Sequence, residues 1–381
     1  MTALRITLAR LSQSEPIAGT IPGEAKRHRA NKDSRNDVLL ETRERKAGDS
    51  GVNQARPQKF PAESASGRKN RNRPAMIARI AQATLVLALL LWTSECDLAG
   101  VFVKTQADVT KRSTAPFTHW DTELVEHALA NNLILSEGFL EIAPDYEPLL
   151  LLTVLTYVGY GQMWLEERFA AAQAASRYDE AERLNRRSGL LYDRALVYAK
   201  RMLRLRDKGF DAALSGGEKS FEKWTKVNFY KKRDAEVPLV ASLAWFATMQ
   251  ASDDGVAAAT DRPFAEILAR RSVQLDPGLR GAVGLMALGI VECSVPAFMG
   301  GMPQKGKAYL QRAARITNRK NHGVLVALAE VCAVQLQDRA LFKSLLTEVV
   351  EAKDVEEYRL LNKFARRKAE RLLGQIDELF L

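Results

Sequence analysis

Residues 195–205 read ALVYAKRMLRL, and their spacing decides the fold. Ala195, Ala199, Met202 and Leu205 recur at offsets that place all four side chains on one stripe of an α-helix. The small residues on this stripe let a neighbouring antiparallel helix approach closely. The stretch therefore predicts a helix that packs as one member of a pair.

The same spacing occurs twice more along the chain. It is found at Ala265, Ala269, Ser272 and Leu275, and again at Gly306, Leu310, Ala313 and Ile316. It is typical of the second helix of a tetratricopeptide repeat, although generic antiparallel packing explains any single copy equally well. Three copies favour an all-α fold, with α-solenoid-like antiparallel helix pairs and cryptic tetratricopeptide repeats.

Helical periodicity extends from the stripes over residues 121–381, without alternating runs joined by a hairpin turn. Asp121 is a good N-cap, Pro144 ends the first helix, and Pro148 suits the first turn of the second. The predicted helices span about 121–142, 147–175, 179–206, 221–230, 237–251, 263–275, 279–293, 305–317, 322–335, 339–352 and 355–379.

Upstream of the helices, residues 76–96 read MIARIAQATLVLALLLWTSEC, the layout of a secretory signal peptide. The apolar run 83–92 is shorter than the roughly 20 residues that a spanning helix needs. Cys96 follows it as in the lipid-attachment site of bacterial lipoproteins, although Glu95 stands where a small residue is usual. Without cleavage, the run 83–92 would remain as a short anchor.

These features predict four segments. Residues 1–75 are a disordered or mis-annotated extension, with Met76 as the true start, and residues 76–95 are the signal peptide. Residues 96–120 are a lipidated tether, and residues 121–381 are the helical-repeat domain.

The net charge of +10 suggests a nucleic-acid partner, but its location argues against one. Residues 1–75 hold 16 Lys and Arg against 8 Asp and Glu, which leaves 40 against 38 for residues 76–381. A nearly neutral body lacks a large excess of charge to neutralise phosphates, although a local basic patch remains open.

The cysteines and histidines do not indicate a metal or a cofactor. Cys293 and Cys332 lie in apolar helical stretches, where buried free thiols are the favoured interpretation and a bridge stays open in an oxidising compartment. The four histidines form no ligand pair at helical spacing.

Motifs for catalysis are also missing from the sequence. Residues 215–220, SGGEKS, read as a turn between helices, because they lack the ending of a phosphate-binding loop. The acidic pairs Glu166-Glu167 and Glu356-Glu357 are interpreted as solvated ion-pair faces. We therefore expect a protein that is not an enzyme.

Aromatic and methionine side chains are the candidates for a ligand or partner surface. Trp164, Trp245 and Phe246 lie in the middle of the body, and Phe298 and Met299 form a pair beside a proline and two glycines. Core packing is the alternative for Trp164 and Trp245. Rigid aromatics and flexible methionine also line apolar grooves.

Over residues 123–380 the chain resembles the T component of tripartite ATP-independent periplasmic (TRAP) transporters. The resemblance rests on Glu137–Leu140 with Ala143–Asp145, the run Leu149–Gly161, Tyr192 with Ala195 and Ala199, Asp234–Trp245, Pro296–Ala308 with its Gly-Gly turn, and the ending Leu360–Phe380. It implies cryptic tetratricopeptide repeats, a lipid anchor and a homotrimer. It also implies a hydrophobic pore or cleft, a hydrophobic or organic-acid ligand, and a periplasmic solute-binding protein as partner.

Two other classes remain beside this non-catalytic transport accessory. A tetratricopeptide-type scaffold for envelope protein assembly would bind partners through a concave face and carry no small-molecule ligand. An enzyme ranks last, because it needs a clustered site that the sequence does not display.

Overall fold

The computed structural model of the protein describes residues 97–252, 255–295 and 301–380, besides the single residue Gln82. Regular structure in this part of the chain is helical throughout, which confirms the all-α prediction. The α-helices are α1 Leu98–Arg112, α2 Ala115–Thr118, α3 Thr122–Ile142, α4 Glu147–Tyr160, α5 Glu166–Ala174, α6 Tyr178–Arg206, α7 Phe210–Ser215, α8 Gly217–Asn228, α9 Glu236–Ala251, α10 Gly255–Leu275, α11 Leu279–Ser294, α12 Pro303–Ile316, α13 His322–Ala327, α14 Arg339–Glu351, α15 Arg359–Gly374 and α16 Ile376–Leu379.

Two π-helical turns interrupt this α-helical pattern. The first π-turn, Gly161–Leu165, joins α4 to α5, and the second π-turn, Leu328–Ala333, follows α13 directly. Short 3₁₀ turns at Lys232–Ala235 and Glu356–Tyr358 precede α9 and α15. The predicted helices 147–175 and 322–335 therefore exist, but each contains a wider turn than an α-helix has.

Local capping explains why several predicted boundaries hold. The Asp121 carboxylate accepts hydrogen bonds from the backbone N–H groups of Glu123 and Leu124, both at 3.0 Å, and so begins α3. Asp338 begins α14 in the same way. At α10 the boundary is wrong, because the helix starts at Gly255 and continues through Pro263.

Helix α1 lies where the sequence predicts a tether. Its Gly100, Val103 and Ala107 are buried, and Val103 and Ala107 belong to the same hydrophobic cluster as α3 and α4. The Lys111 ammonium pairs with the Glu236 carboxylate at 2.9 Å, and Arg280 pairs with the same carboxylate. Residues 98–112 are therefore a packed helix, and the folded body begins before residue 121.

The small-residue stripes occupy the positions that close helix packing requires. In α6, Ala195, Ala199 and Met202 are fully buried, whereas Leu205 at the end of the stripe is 39 % exposed. The first three members of the other two stripes, in α10 and α12, are buried as well. The predicted helix pairing is thus present in the packing, while the stacking of pairs into a solenoid stays a prediction.

The buried apolar side chains form two clusters that divide the body. The first cluster runs from Val103 to Leu268 and includes Leu360, and the second runs from Ala269 to Phe380. Phe246 on α9 packs against both clusters. The boundary between the two halves therefore lies beside the C-terminal part of α9.

The cysteines are bonded to each other, so the favoured interpretation of buried free thiols is wrong. Cys293 in α11 and Cys332 in the second π-turn form a disulfide, with their Cα atoms 5.1 Å apart. The physical reason is close packing, since both side chains are fully buried and the Cα separation lies in the range that a disulfide spans. The bridge ties the second π-turn to α11.

Candidate functional site

A partly buried glutamate lies in or directly after each π-turn. Glu166 directly follows the first π-turn, and Glu330 lies within the second. A π-turn is rare and occurs mostly as a single turn inside an α-helix, frequently at functional sites. The two turns are far apart in sequence, yet Glu166 and Glu330 are close enough in the fold to interact electrostatically.

The two glutamates meet at one lysine. The Lys368 ammonium on α15 is 2.7 Å from the Glu330 Oε2, and it also stabilises the charge of Glu166. The Tyr192 hydroxyl donates to the Glu166 Oε1 at 2.8 Å. Gln250 at the end of α9 hydrogen-bonds to the same carboxyl group. We call Glu166, Tyr192, Gln250, Glu330 and Lys368 the glutamate–lysine site.

The two carboxyl groups of the site have pKa values that move in opposite directions. Burial raises the pKa of Glu166, and the Lys368 charge and the Tyr192 hydroxyl offset only part of this effect. Burial also raises the pKa of Glu330, but the charge and hydrogen bond of Lys368, together with the charge of Arg371, act in the opposite direction and the net pKa is lowered. Glu330 is thus the ionised partner of Lys368, and Glu166 takes up a proton more readily than a free glutamate does.

Solvent reaches the site although protein surrounds it. The side chain of Glu330 is 23 % exposed and that of Lys368 is 38 % exposed. A polar molecule entering from solvent would meet the ammonium and both carboxyl groups.

Aromatic side chains lie close in sequence to two members of the site. Trp164, in the first π-turn, stacks with Tyr160 at a ring-centroid distance of 5.9 Å and meets Phe364 edge-on at 5.0 Å. Phe364 lies one helical turn before Lys368, and the Arg367 guanidinium covers its ring at 4.6 Å. Trp164 is buried in the first cluster at 5 % exposed, and the partly buried Phe364 packs against that cluster, so the aromatic rings are core next to the segments that carry Glu166 and Lys368.

A glycine makes the contact between Tyr192 and Glu166 possible. A Cβ on Gly161 would lie 2.4 Å from the Tyr192 ring, so any other residue would displace that ring. Gly161 begins the first π-turn, and Glu166 directly follows it. The turn and the tyrosine thus fit together only with glycine at this position.

The acidic pairs behave differently from each other. Glu356 and Glu357 are exposed, as expected for a solvated face. At the other pair the interpretation is wrong, because Glu166 belongs to the interior site and Glu167 is partly buried beside Arg367, at 3.4 Å. Sequence reasoning missed Glu330 and Lys368, for which no local pattern gives a signal.

Among the predicted surface residues that the structure describes, Trp164 lies two positions before Glu166 and is buried in the first cluster at 5 % exposed. Trp245 is buried in the first cluster, where its Nε1 donates to Asp261 at 2.9 Å and the Lys200 ammonium lies 4.9 Å from its ring centroid. Phe246 is partly buried between the two clusters, one helical turn before Gln250. The predictions for Phe298, Met299 and Cys96 fall outside the residues that the structure describes.

The described residues hold one apolar stretch of membrane-spanning length and no cluster of metal ligands. Among the described residues, no group of three or more His, Cys, Asp or Glu is placed to hold a metal ion. One helical stretch in this part of the chain, residues 147–174, is long and apolar enough to cross a membrane, and 67 % of its most apolar window is buried inside the fold. This burial is typical of a core helix.

The fold and the site define an all-α protein of packed helix pairs with a partly buried cluster of two glutamates and a lysine. The family model described as "TRAP transporter T-component" matches residues 118–380, and the chain belongs to this family. It is thus a component associated with a TRAP transporter, with an accessory role in transport at the membrane or in the periplasm. No curated protein is similar enough in sequence to match the chain.

Proposed function

We propose that the chain is an exported lipoprotein that binds a hydrophobic or organic-acid ligand and presents it to a periplasmic solute-binding protein. The observation that supports the ligand is the Lys368 ammonium, which pairs with Glu330 at 2.7 Å and also interacts electrostatically with Glu166. A carboxylate with an apolar chain would match this charge and the aromatic side chains nearby. Trp164 and Phe364 would contact the chain, and Lys368 the carboxylate.

The charges of the site also favour release. A ligand carboxylate competes with Glu330 for the same ammonium, so binding exchanges one ion pair for another and gains little net energy. Glu166 in its protonated form would donate a hydrogen bond to the ligand, because its raised pKa keeps the proton on the group longer. Weak, reversible binding suits a protein that passes its ligand to a partner.

The membrane attachment and the assembly follow the sequence. Residues 76–95 act as the signal peptide, Cys96 carries the lipid, and residues 1–75 are absent from the native product. The subunits assemble as a homotrimer, as the resemblance implies. Intact mass of the native protein tests the leader and the lipid, and native mass spectrometry in detergent tests the trimer.

The ligand is tested by calorimetric titration of the purified protein with octanoate and with succinate. We expect octanoate to bind the wild type and binding to be lost in Lys368→Met. The matched control is Lys343→Met, which removes an exposed lysine on α14 and should leave binding unchanged. Equal affinity in both variants would contradict the role of Lys368.

The partner is tested by affinity capture from native membranes. We expect a periplasmic solute-binding protein to be recovered with the wild type. Recovery of envelope proteins without a solute-binding protein, together with no co-purifying ligand in a lipid extract, would favour the scaffold alternative instead.

A further inference from the structure

Helix α1 exposes an apolar face that no described part of the protein covers. Leu98, Val101, Phe102 and Val109 are 72 %, 57 %, 61 % and 63 % exposed, and their spacing places them on one stripe of the helix. Gly100, Val103 and Ala107 occupy the opposite stripe, which is buried against the body. The helix is thus apolar on both faces, and only the inner face has a partner among the described residues.

The charges of α1 are distributed unevenly between these faces. Its one acidic residue, Asp108, accepts a hydrogen bond from the Tyr146 hydroxyl of the body. Lys111 is paired with Glu236, whereas Lys104 and Arg112 are exposed. Positive charge therefore accompanies the exposed apolar stripe, as in helices that lie on anionic lipid surfaces.

The position of α1 in the chain indicates which surface it meets. Five residues separate the apolar run that ends at Trp92 from Leu98, and they span at most about 20 Å. Cys96, the proposed lipid-bearing residue, is two positions before Leu98. Whether a lipid or the uncleaved run holds the protein, α1 is kept at the bilayer surface.

The size of the stripe also favours a bilayer over a second copy of the chain. Four side chains with these exposures present on the order of 400 Å², about half of what one partner buries in a standard protein interface. An interfacial helix needs only to insert its apolar face by several ångströms into the headgroup region. Exposed Phe117, Trp120 and Leu124 lie shortly after α1 and add to the apolar surface near it in sequence.

We propose that α1 docks with its Leu98–Val109 stripe in the outer part of an anionic bilayer and thereby fixes the orientation of the body above the membrane. This proposal rests on the membrane attachment in the proposed function. It adds a second contact that is non-covalent, and it assigns that contact to particular side chains.

The experiment measures lipid contact residue by residue in the native, membrane-attached protein. Phe102→Cys and Val109→Cys are labelled with an environment-sensitive fluorophore, and Leu190→Cys on α6 is the matched control, because Leu190 is equally exposed at 66 %. The protein is reconstituted in vesicles of phosphatidylethanolamine and phosphatidylglycerol that contain nitroxide-labelled lipid. We expect blue-shifted emission and loss of most fluorescence at residues 102 and 109, and little change at 190.

Three other outcomes would overturn the proposal. If the protein floats with the vesicles while all three labels stay unquenched, the docking is refuted and the anchor and the ligand role remain intact. If the protein fails to float, the anchor is refuted as well. Blue-shifted labels that respond to protein concentration but not to nitroxide lipid would identify the stripe as an interface between copies.

Discussion

Reduction of the Cys293–Cys332 bridge should destabilise the protein by a predictable amount. The two cysteines are 39 positions apart. In the chain-entropy description, releasing a loop of this length restores about 4 kcal/mol of unfolded-state entropy at 25 °C. Both cysteines are fully buried, so the folded state gains no compensating freedom when the bond is broken. We therefore expect the free energy of unfolding to fall by about 4 kcal/mol.

The assay is urea denaturation of the native protein at pH 7, with and without a phosphine reductant. The free energy of unfolding should also fall more steeply with urea concentration after reduction, because the unbridged chain unfolds to a more expanded state. The control is Cys293→Ala/Cys332→Ala, which has no bridge. Reductant should change neither its free energy of unfolding nor the dependence of that energy on urea. Its lower starting stability includes the loss of two buried sulfur atoms, so the comparison is made within each protein.

Two results would refute this reasoning. Equal unfolding free energies for the wild type in both conditions would mean that the bridge does not constrain the unfolded chain. Alkylation of both cysteines in the folded, unreduced protein would mean that the bond is not formed in the native compartment. The second result would also count against export, because such a bond persists in oxidising compartments and is rare in the cytosol.

Three further predictions concern single side chains. Lys368→Met should raise the pKa of Glu330, because the carboxyl group loses an ammonium that lowers its pKa. An NMR titration of the Glu330 carboxyl group in the wild type and the variant measures this. Coinciding titration curves would contradict the prediction. Glu137→Ala should cost about 1–3 kcal/mol at pH 7, because one carboxylate oxygen accepts hydrogen bonds from two tyrosines and one arginine of α4 and α6. Burial raises the pKa of Glu137, but these bonds lower it overall. The stability advantage of the wild type should therefore be present above pH 4.5 and disappear as the pH falls through the lowered pKa. An advantage of the same size at pH 3 and pH 7 would contradict the pKa direction. Gly161→Ala should lower the free energy of unfolding by about 1–3 kcal/mol and displace the Tyr192 ring, since the added Cβ would lie 2.4 Å from it. Thermal unfolding measures this loss. Unchanged stability would show that the ring moves freely.

Local patterns account for the parts of the fold that the sequence predicts. Asp121 and Asp338 begin helices through bonds to residues two or three positions away, and the stripe of α6 is visible within eleven residues. Helix α1 was missed because its buried face is made of Gly100, Val103 and Ala107. Small residues of this kind give a weak apolar periodicity, while the large apolar residues face outward.

The candidate site depends on contacts that no local pattern contains. Glu166, Tyr192, Glu330 and Lys368 come from four separate parts of the chain, and only the packing of the two halves brings them together. Charged residues on helices with many basic neighbours are usually solvated, so the pattern around Glu166 predicts the opposite of its actual place. Aromatic residues such as Trp164 are conspicuous in sequence, and the role of Trp164 at a ligand or partner surface stays a prediction.

The second π-turn links two chemical features to one extra residue. A π-turn arises when a single amino acid is added to an α-helix, and removing it would rotate every later side chain by about 100° around the axis. Glu330 and Cys332 share this turn, so one insertion determines both the ion pair with Lys368 and the covalent bond to Cys293. Among relatives, a chain one residue shorter in this turn is expected to lack both the ion pair and the disulfide. Charge recognition and oxidative cross-linking would then be gained or lost in a single mutational event.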